Sequence, residues 1–205
     1  MSTRIEKTKR LMRKQPGQAR SRATVEAIVQ AAARILGDQG WAGFTTNKVA
    51  HTAGVSIGSF YQYFPDKQSL IEAIRSRHLE DCLAVLKNAT KGEKPLALFV
   101  EELVRDIIAI HSINPGLHRV LLDEAPSSDS FRDPNSAFEK EYLGYYTRAA
   151  VLYGKAATHA SAQTVGMMVS DAMDGIVHNA ARRGTLQTAD VKHELVRMIA
   201  SYLGG

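Results

Sequence analysis

A single cysteine, Cys82, stands in a chain of 205 residues, so no internal disulfide can form and a stapled secreted scaffold is excluded. Long apolar runs are missing too. Stretches such as Leu96–Val100 and Ala149–Tyr153 fall far short of the roughly 20 residues that a bilayer-crossing helix needs. No apolar stretch follows the basic N-terminus, so a secretory signal is not expected. The chain contains no His-x-x-x-His, no Cys-x-x-Cys, no Gly-x-Ser-x-Gly, no P-loop and no dinucleotide fingerprint. An enzyme is therefore not expected, nor a cofactor, nor a metal site. Asp171, Asp174 and His178 share one helical face, but without a second cluster they read as a polar interface or a ligand contact. Cys82 lacks the basic neighbours that would lower its pKa and reads as buried core. What remains is an ordinary globular composition, 44% hydrophobic and 23% charged. It bounds the chain to one sizeable domain or two small ones in a reducing, cytoplasmic setting, with no membrane partner.

Charge is unevenly placed. Of 26 bases and 21 acids, eight bases (Arg4, Lys7, Lys9, Arg10, Arg13, Lys14, Arg20, Arg22) and only one acid, Glu6, lie in residues 1–22. The rest of the chain is slightly acidic. A basic arm on a near-neutral body points to a polyanionic partner at that end. Ile5, Leu11 and Met12 are too few to give the arm the apolar face of a membrane-surface helix.

Past Pro16-Gly17 the text is helical nearly throughout, the stretch Ala125–Asn135 being the least ordered-looking. Val25, Ile28, Val29, Ala32, Ile35 and Leu36 recur at 3.6 residues, with Gly40 as a stop. Two very short units follow, Thr46–Ala53 and Ser56–Phe64. Pro65 then ends the second, and Asp66 is placed to cap a long helix carrying Leu70, Ile74, Cys82 and Leu86. A further stripe of Leu96, Phe99, Val100, Leu103, Val104 and Ile107 runs from Pro95 to Asn114-Pro115-Gly116. An aromatic-rich helix is predicted from about Ser136 to His159, and two more over Ala162–Arg183 and Thr188–Leu203. No strand and no repeat emerges. The chain is all-α, with about nine helices.

Two helices too short to stand alone, joined at Gly54, form a helix-turn-helix pattern. The turn needs a residue that tolerates positive φ, small residues where the helices cross (Ala50, Ala53), and anchors on both sides (Val49, Val55, Phe60, Phe64). The second helix can then lie in a major groove. The stretch from Thr45 to Leu70 closely resembles the DNA-binding domain of the TetR family of bacterial transcriptional regulators. Ala53-Gly54-Val55-Ser56, Phe60-Tyr61-Gln62-Tyr63-Phe64 and the spaced Lys67 occur together and in order. The likeness covers about residues 21–70.

The resemblance implies a basic arm over residues 1–20, a DNA-binding head over 21–66 and a helical ligand-binding and dimerisation body over 67–205. It implies DNA contacts from Thr46, Asn47, Ile57, Gly58, Ser59, Tyr61, Gln62, Tyr63 and Lys67. Of these, Thr46, Tyr61, Tyr63 and Lys67 would hold phosphates, while Ile57 and Ser59 would meet base edges. No arginine lies on the second helix, so DNA shape is expected to contribute to specificity.

A palindromic operator and a homodimer through the last two helices are expected, with the operator's ligand-responsive reader acting as a repressor. Val165, Val169, Ala172, Met173, Ile176, Val177 and Ala180, with Val191, Leu195, Met198, Ile199 and Tyr202, would form the dimer seam. Phe99, His111, His118, Phe138, Tyr142 and Tyr146 are candidates for a pocket holding a small apolar or aromatic effector. A sequence-tolerant architectural DNA-binding protein is disfavoured, because most of the chain is slightly acidic.

Overall fold

The computed structural model describes residue 12 and residues 16–114, 116–125, 136–154 and 161–204. Most of the basic arm therefore lies outside the described residues, as do residues 126–135 and the end of the helix predicted to reach His159. Nine helices make up the described elements, with one π-helical turn and no strand among them. They are α1 (Ala19–Gly43), α2 (Thr46–Thr52), α3 (Ile57–Tyr63), α4 (Lys67–Ala89), α5 (Leu96–His111), α6 (Leu117–Arg119), α7 (Ala137–Tyr153), α8 (Ala162–Arg183) and α9 (Ala189–Gly204). The π turn, Val120–Glu124, continues directly from α6.

Local chemistry sets the helix ends. Thr45, Ser56, Asp66, Ser136 and Ser161 each cap the helix that follows by accepting a hydrogen bond from a backbone N–H in its first turn. Asp66 forms a full capping box with Ser69, whose hydroxyl donates back to the Asp66 carbonyl. The first helix departs from expectation at Gly40. The backbone kinks there (φ 65°), but helix resumes for one more turn to Gly43.

Two cores divide the apolar residues. The first gathers Ile28, Ala32 and Leu36 of α1, Val49 of α2 and Phe60 of α3 around Leu70, Ile71 and Ile74 of α4. The second gathers Leu83 and Leu86 of α4 with the stripe of α5, Tyr142 and Tyr146 of α7, and the inward faces of α8 and α9. A boundary at residue 66 does not separate these cores. At 1.5 Å per residue, the 23-residue α4 is roughly 34 Å long, enough to serve both. Leu117, Val120, Leu121 and Ala125 also return to complete the first core.

The seam expected between subunits is largely internal. Val165, Val169, Met173, Val177 and Ala180 of α8, with Leu195 and Ile199 of α9, are buried within the protomer. The reason is stoichiometric: α7 and α8 pack along their lengths, and each needs an apolar stripe for its neighbour. The face left open on α8 and α9 carries Met167, Met168 and Tyr202 instead.

The crossing of α6 with α1 admits no side chain, nor does that of α8 with α7 at Gly166. A β-carbon on Gly116 would stand 2.1 Å from the carbonyl oxygen of Gly37, where α6 meets α1. Glu124 reinforces the junction by accepting a hydrogen bond from the Trp41 N–H at 3.0 Å. Gly116→Ala is expected to lower the unfolding free energy by about 1–3 kcal/mol, the usual range for overpacking against a part that cannot yield. Urea denaturation checks this, and an unchanged midpoint would show that the α1–α6 contact is not tight.

Candidate nucleic-acid interface and internal cavity

The N-terminal site is assembled by two helices of seven residues each. Gly54 adopts φ 68°, letting the chain reverse between them while the Val55 N–H donates to the Ala50 carbonyl at 3.0 Å. On α3 the buried side chains are Phe60 and Tyr63. The remaining face is open: Ile57 is 39% exposed and Tyr61 41%, with Gly58 and Gln62 also exposed and Ser59 half-buried. Asn47 of α2 is exposed, and the Thr46 hydroxyl lies 3.1 Å from that of Tyr61 across the turn. Tyr63 departs from this set. Its ring packs in the first core, on the side of α3 opposite the exposed face.

Lysines frame the site differently from one another. Lys48 clasps the end of α1, donating to the Gly43 carbonyl at 3.1 Å and to Gln39 Oε1 at 2.9 Å. Lys67 opens α4, with its ammonium 3.7 Å from the centroid of the Trp41 ring and 3.4 Å from the Trp41 carbonyl oxygen. A cation at the positive end of a helix is disfavoured on its own. The Trp41 ring face offsets part of that disadvantage. Partial burial also pulls the Lys67 ammonium below the ordinary lysine value. The Lys67 ammonium thus stands at the N-terminal end of α4, where its charge can meet an anion.

A cavity of about 450 Å³ lies deeper, bordered by α4, α5, α6, α7 and α8. His111, His118 and Tyr142 line it, as proposed pocket residues. Phe99, Phe138 and Tyr146 do not: Phe99 stacks on Tyr153, Phe138 stacks on Tyr142, and Tyr146 is fully buried in the second core. Their rings pack in or against the second core instead. The Tyr142 hydroxyl donates to Asp174 at 3.4 Å, and burial first of all raises its pKa, so it stays protonated. His178 and Asp174 both border the cavity, whereas Asp171 on the same helix is exposed.

Four histidines meet there that no sequence spacing joins. His78 of α4, His111 of α5, His118 of α6 and His178 of α8 each offer one ring nitrogen, all within 4.8 Å of one another. His111 Nδ1 lies 2.8 Å from the Ile107 carbonyl, so it carries the proton and leaves Nε2 with a lone pair, 3.3 Å from His178 Nε2. Burial, followed by repulsion from neighbouring rings, lowers the imidazole of His78 to about 4, that of His111 to about 3 and that of His118 to about 2. These three rings are neutral near pH 7. The Cys82 thiol, expected as inert core, sits 3.6 Å from His78 Nε2. Sequence reasoning missed the cluster because its four members come from four helices. The available signal was that His78 and His111 each continue the buried stripe of their own helix.

Between cavity and head stands Arg75, which is only 3% exposed. Its guanidinium donates to Glu72 Oε1 and to the Leu121 carbonyl of the π turn, each at 2.8 Å. Glu72 also accepts from Gln68. Arg75→Met is expected to destabilise the fold by about 3 kcal/mol, because it leaves the Glu72 carboxylate inside without its cation. Adding Glu72→Gln should restore part of the loss. Chemical denaturation of both variants checks the pair, and a single variant as stable as the parent would refute it.

Comparison with known proteins agrees with this arrangement. Residues 28–74 match the family described as "Bacterial regulatory proteins, tetR family", and residues 95–203 match "Tetracyclin repressor-like, C-terminal domain". The nucleoid occlusion factor SlmA of Haemophilus ducreyi is 37% identical over 89 residues, 43% of this chain and 44% of that protein. The HTH-type transcriptional regulator BetI of Rhizobium meliloti is 36% identical over 112 residues, 52% of this chain and 54% of that protein. The chain thus spans about half the length of the curated relatives it matches. Among solved structures, the fatty acid degradation regulator FadR of Bacillus halodurans superposes with a TM-score of 0.68 at 18% identity, over 89% of this chain and 95% of that one. A TetR-family transcriptional regulator of Streptomyces coelicolor gives 0.59 at 22% identity, over 88% and 98%. Both of the latter are likenesses of fold. With its two matched segments in order and the second alone spanning more than half of its length, the chain belongs to the TetR family of bacterial regulatory proteins.

Proposed function

We propose that the protein is a homodimeric transcriptional repressor that binds a palindromic operator and releases it when a small effector fills the cavity. One observation carries this reading: α3 presents an open face of small and neutral polar side chains on a rigid two-helix support. Thr46, Asn47, Ile57, Gly58, Ser59, Tyr61, Gln62 and Lys67 are the proposed DNA contacts. Ile57 suits a thymine methyl, and Ser59 and Gln62 suit base edges. Thr46, Tyr61 and Lys67 take phosphates, which fix register without reading sequence. The Tyr63 ring is engaged in the first core, so no DNA contact is proposed for it. The basic residues of the arm add charge at the same end of the chain.

One seven-residue helix reads too few base pairs for a unique site, so two heads are required. The open faces of α8 and α9, with Met167, Met168 and Tyr202, are proposed to meet their counterparts in a four-helix bundle. Coupling needs only about 1–3 kcal/mol of difference in effector affinity between the two head spacings. His111, His118 and Tyr142 belong to the proposed effector site. Phe99, Phe138 and Tyr146 act as its packing support.

Selection of bound fragments from random duplex DNA tests the reading. It should return a two-fold motif with half-sites about one turn apart. The selected duplex should lose at least 100-fold in affinity for the Tyr61→Ala, Lys67→Ala double variant, with the circular dichroism spectrum unchanged. A pool without a motif would support sequence-tolerant binding instead, and the relatives named nucleoid occlusion factors make that comparison pertinent. Separately, the Met168→Glu, Tyr202→Glu double variant should sediment as a monomer where the parent sediments as a dimer. A variant that stays dimeric would place the subunit interface elsewhere.

A further inference from the structure

The four-histidine cluster suits an effector smaller and harder to replace than an aromatic molecule. We propose that His78, His111, His118 and His178 form a binding site for one divalent late first-row transition metal ion, best fitted by zinc, and that this ion is the effector of the cavity. The second half of the proposal rests on the regulator reading above; the first half does not.

Donor chemistry selects the ion. Imidazole nitrogens bind zinc, cobalt, nickel and copper, whereas magnesium and calcium require sets of oxygen ligands that this cluster does not supply. Geometry points to a four-coordinate site. Tetrahedral ligands at 2.0–2.1 Å from zinc stand about 3.3 Å from one another. His111 Nε2 and His178 Nε2 are already 3.3 Å apart, and all four donor atoms fall within 4.8 Å. Closure of the set therefore requires ring rotations and small helix shifts rather than refolding.

Preparation of the ligands is visible in their partners. His111 donates its Nδ1 proton to the Ile107 carbonyl, the outer contact that commonly orients a metal-bound histidine and fixes its tautomer. In the metal-free cluster, His178 Nε2 supplies the proton to His111 Nε2. On binding, that proton moves to His178 Nδ1, so the ring stays neutral and its Nε2 lone pair is freed. Charge is also accommodated. The two guanidiniums at the cavity are already matched, Arg75 with Glu72 and Arg182 with Asp123 at 3.0 Å. Asp174 supplies a carboxylate beside the cluster.

Placement makes the ion a lever by simple mechanics. Contracting the donor set draws on His118, and His118 sits on a three-residue helix wedged against α1 at the Gly37–Gly116 crossing. It draws also on His78, two turns along α4 from Ile71 of the head core. Two of the segments that reach the head core, α4 and α6, thus carry a ligand.

The test uses the full chain, stripped of metal by chelation and dialysis, with Zn²⁺ and Co²⁺ as probes. Zinc titrated against a chromophoric chelator should bind at one ion per chain. Co²⁺ should give the intense visible absorption of tetrahedral coordination and lose it when zinc is added. The His111→Gln, His178→Gln double variant should weaken zinc at least 100-fold, and His118→Asn should do so independently. Circular dichroism of each metal-free variant establishes that it is folded. Absence of tight binding by the parent, an octahedral cobalt spectrum, or affinity that survives both substitutions would overturn the site. For the effector role, zinc should change affinity for the selected duplex at least tenfold in the parent and leave the double variant unaffected. Tight zinc binding with unchanged DNA affinity would overturn that role alone. Failure to bind any duplex, with or without zinc, would sink the regulator reading while the cobalt spectrum still decides the site.

Discussion

A guanidinium held out of water joins the two halves of this molecule. Arg75 lies within α4, and its guanidinium donates to Glu72 on its own helix and to the Leu121 carbonyl of the π turn. A buried cation is tolerable only where such partners are fixed, so its presence forces α4 and the π turn into one register. Everything on either side inherits that register. Toward the N-terminus, α4 supplies Leu70, Ile71 and Ile74 to the core beneath the helix-turn-helix. Toward the C-terminus it supplies His78 and Cys82 to the cavity.

This arrangement gives the proposed coupling of body to head a physical route. The head core is completed by Leu117, Val120 and Leu121, which follow or flank the cavity residue His118. A shift of α6 therefore has no slack to absorb it: Gly116 rests against the Gly37 carbonyl, and Glu124 is bonded to the Trp41 N–H. Trp41 in turn carries the Lys67 ammonium over its ring. A chain of direct contacts leads from an imidazole in the cavity to the lysine at the proposed phosphate position. Coupling of this kind needs two discrete arrangements of the linked parts, and tightly packed junctions favour discrete states over gradual bending.

Much of the architecture was legible because it rests on local rules. The 3.6-residue stripe of α5, the cap at Asp66 and the turn at Gly54 are each decided by a few neighbouring residues. What could not be read is decided by which face meets what. The stripes of α8 and α9 were regular, but regularity does not say whether Val169 or Leu195 packs against a neighbour in the same chain or in another. Tyr63 looked equivalent to Tyr61, and only the rotation of α3 separates an exposed ring from a buried one. Arg75 gave no sign of burial, since its partner carbonyl at Leu121 lies far along the chain. The histidine cluster is the clearest case. Its members are dispersed from residue 78 to residue 178, and a motif search depends on short spacings that a four-helix junction does not produce.

The shortness of α3 has a consequence of its own. Phe60 and Tyr63 anchor it, and the Ser56 cap holds its first turn, so the exposed Ile57, Gly58 and Gln62 carry little packing duty. Substitutions at those three places are expected to disturb folding little. If α3 reads DNA as proposed, evolution can retune the preferred nucleotide string without first repairing the scaffold, and descendants can diverge in target while remaining interchangeable in shape.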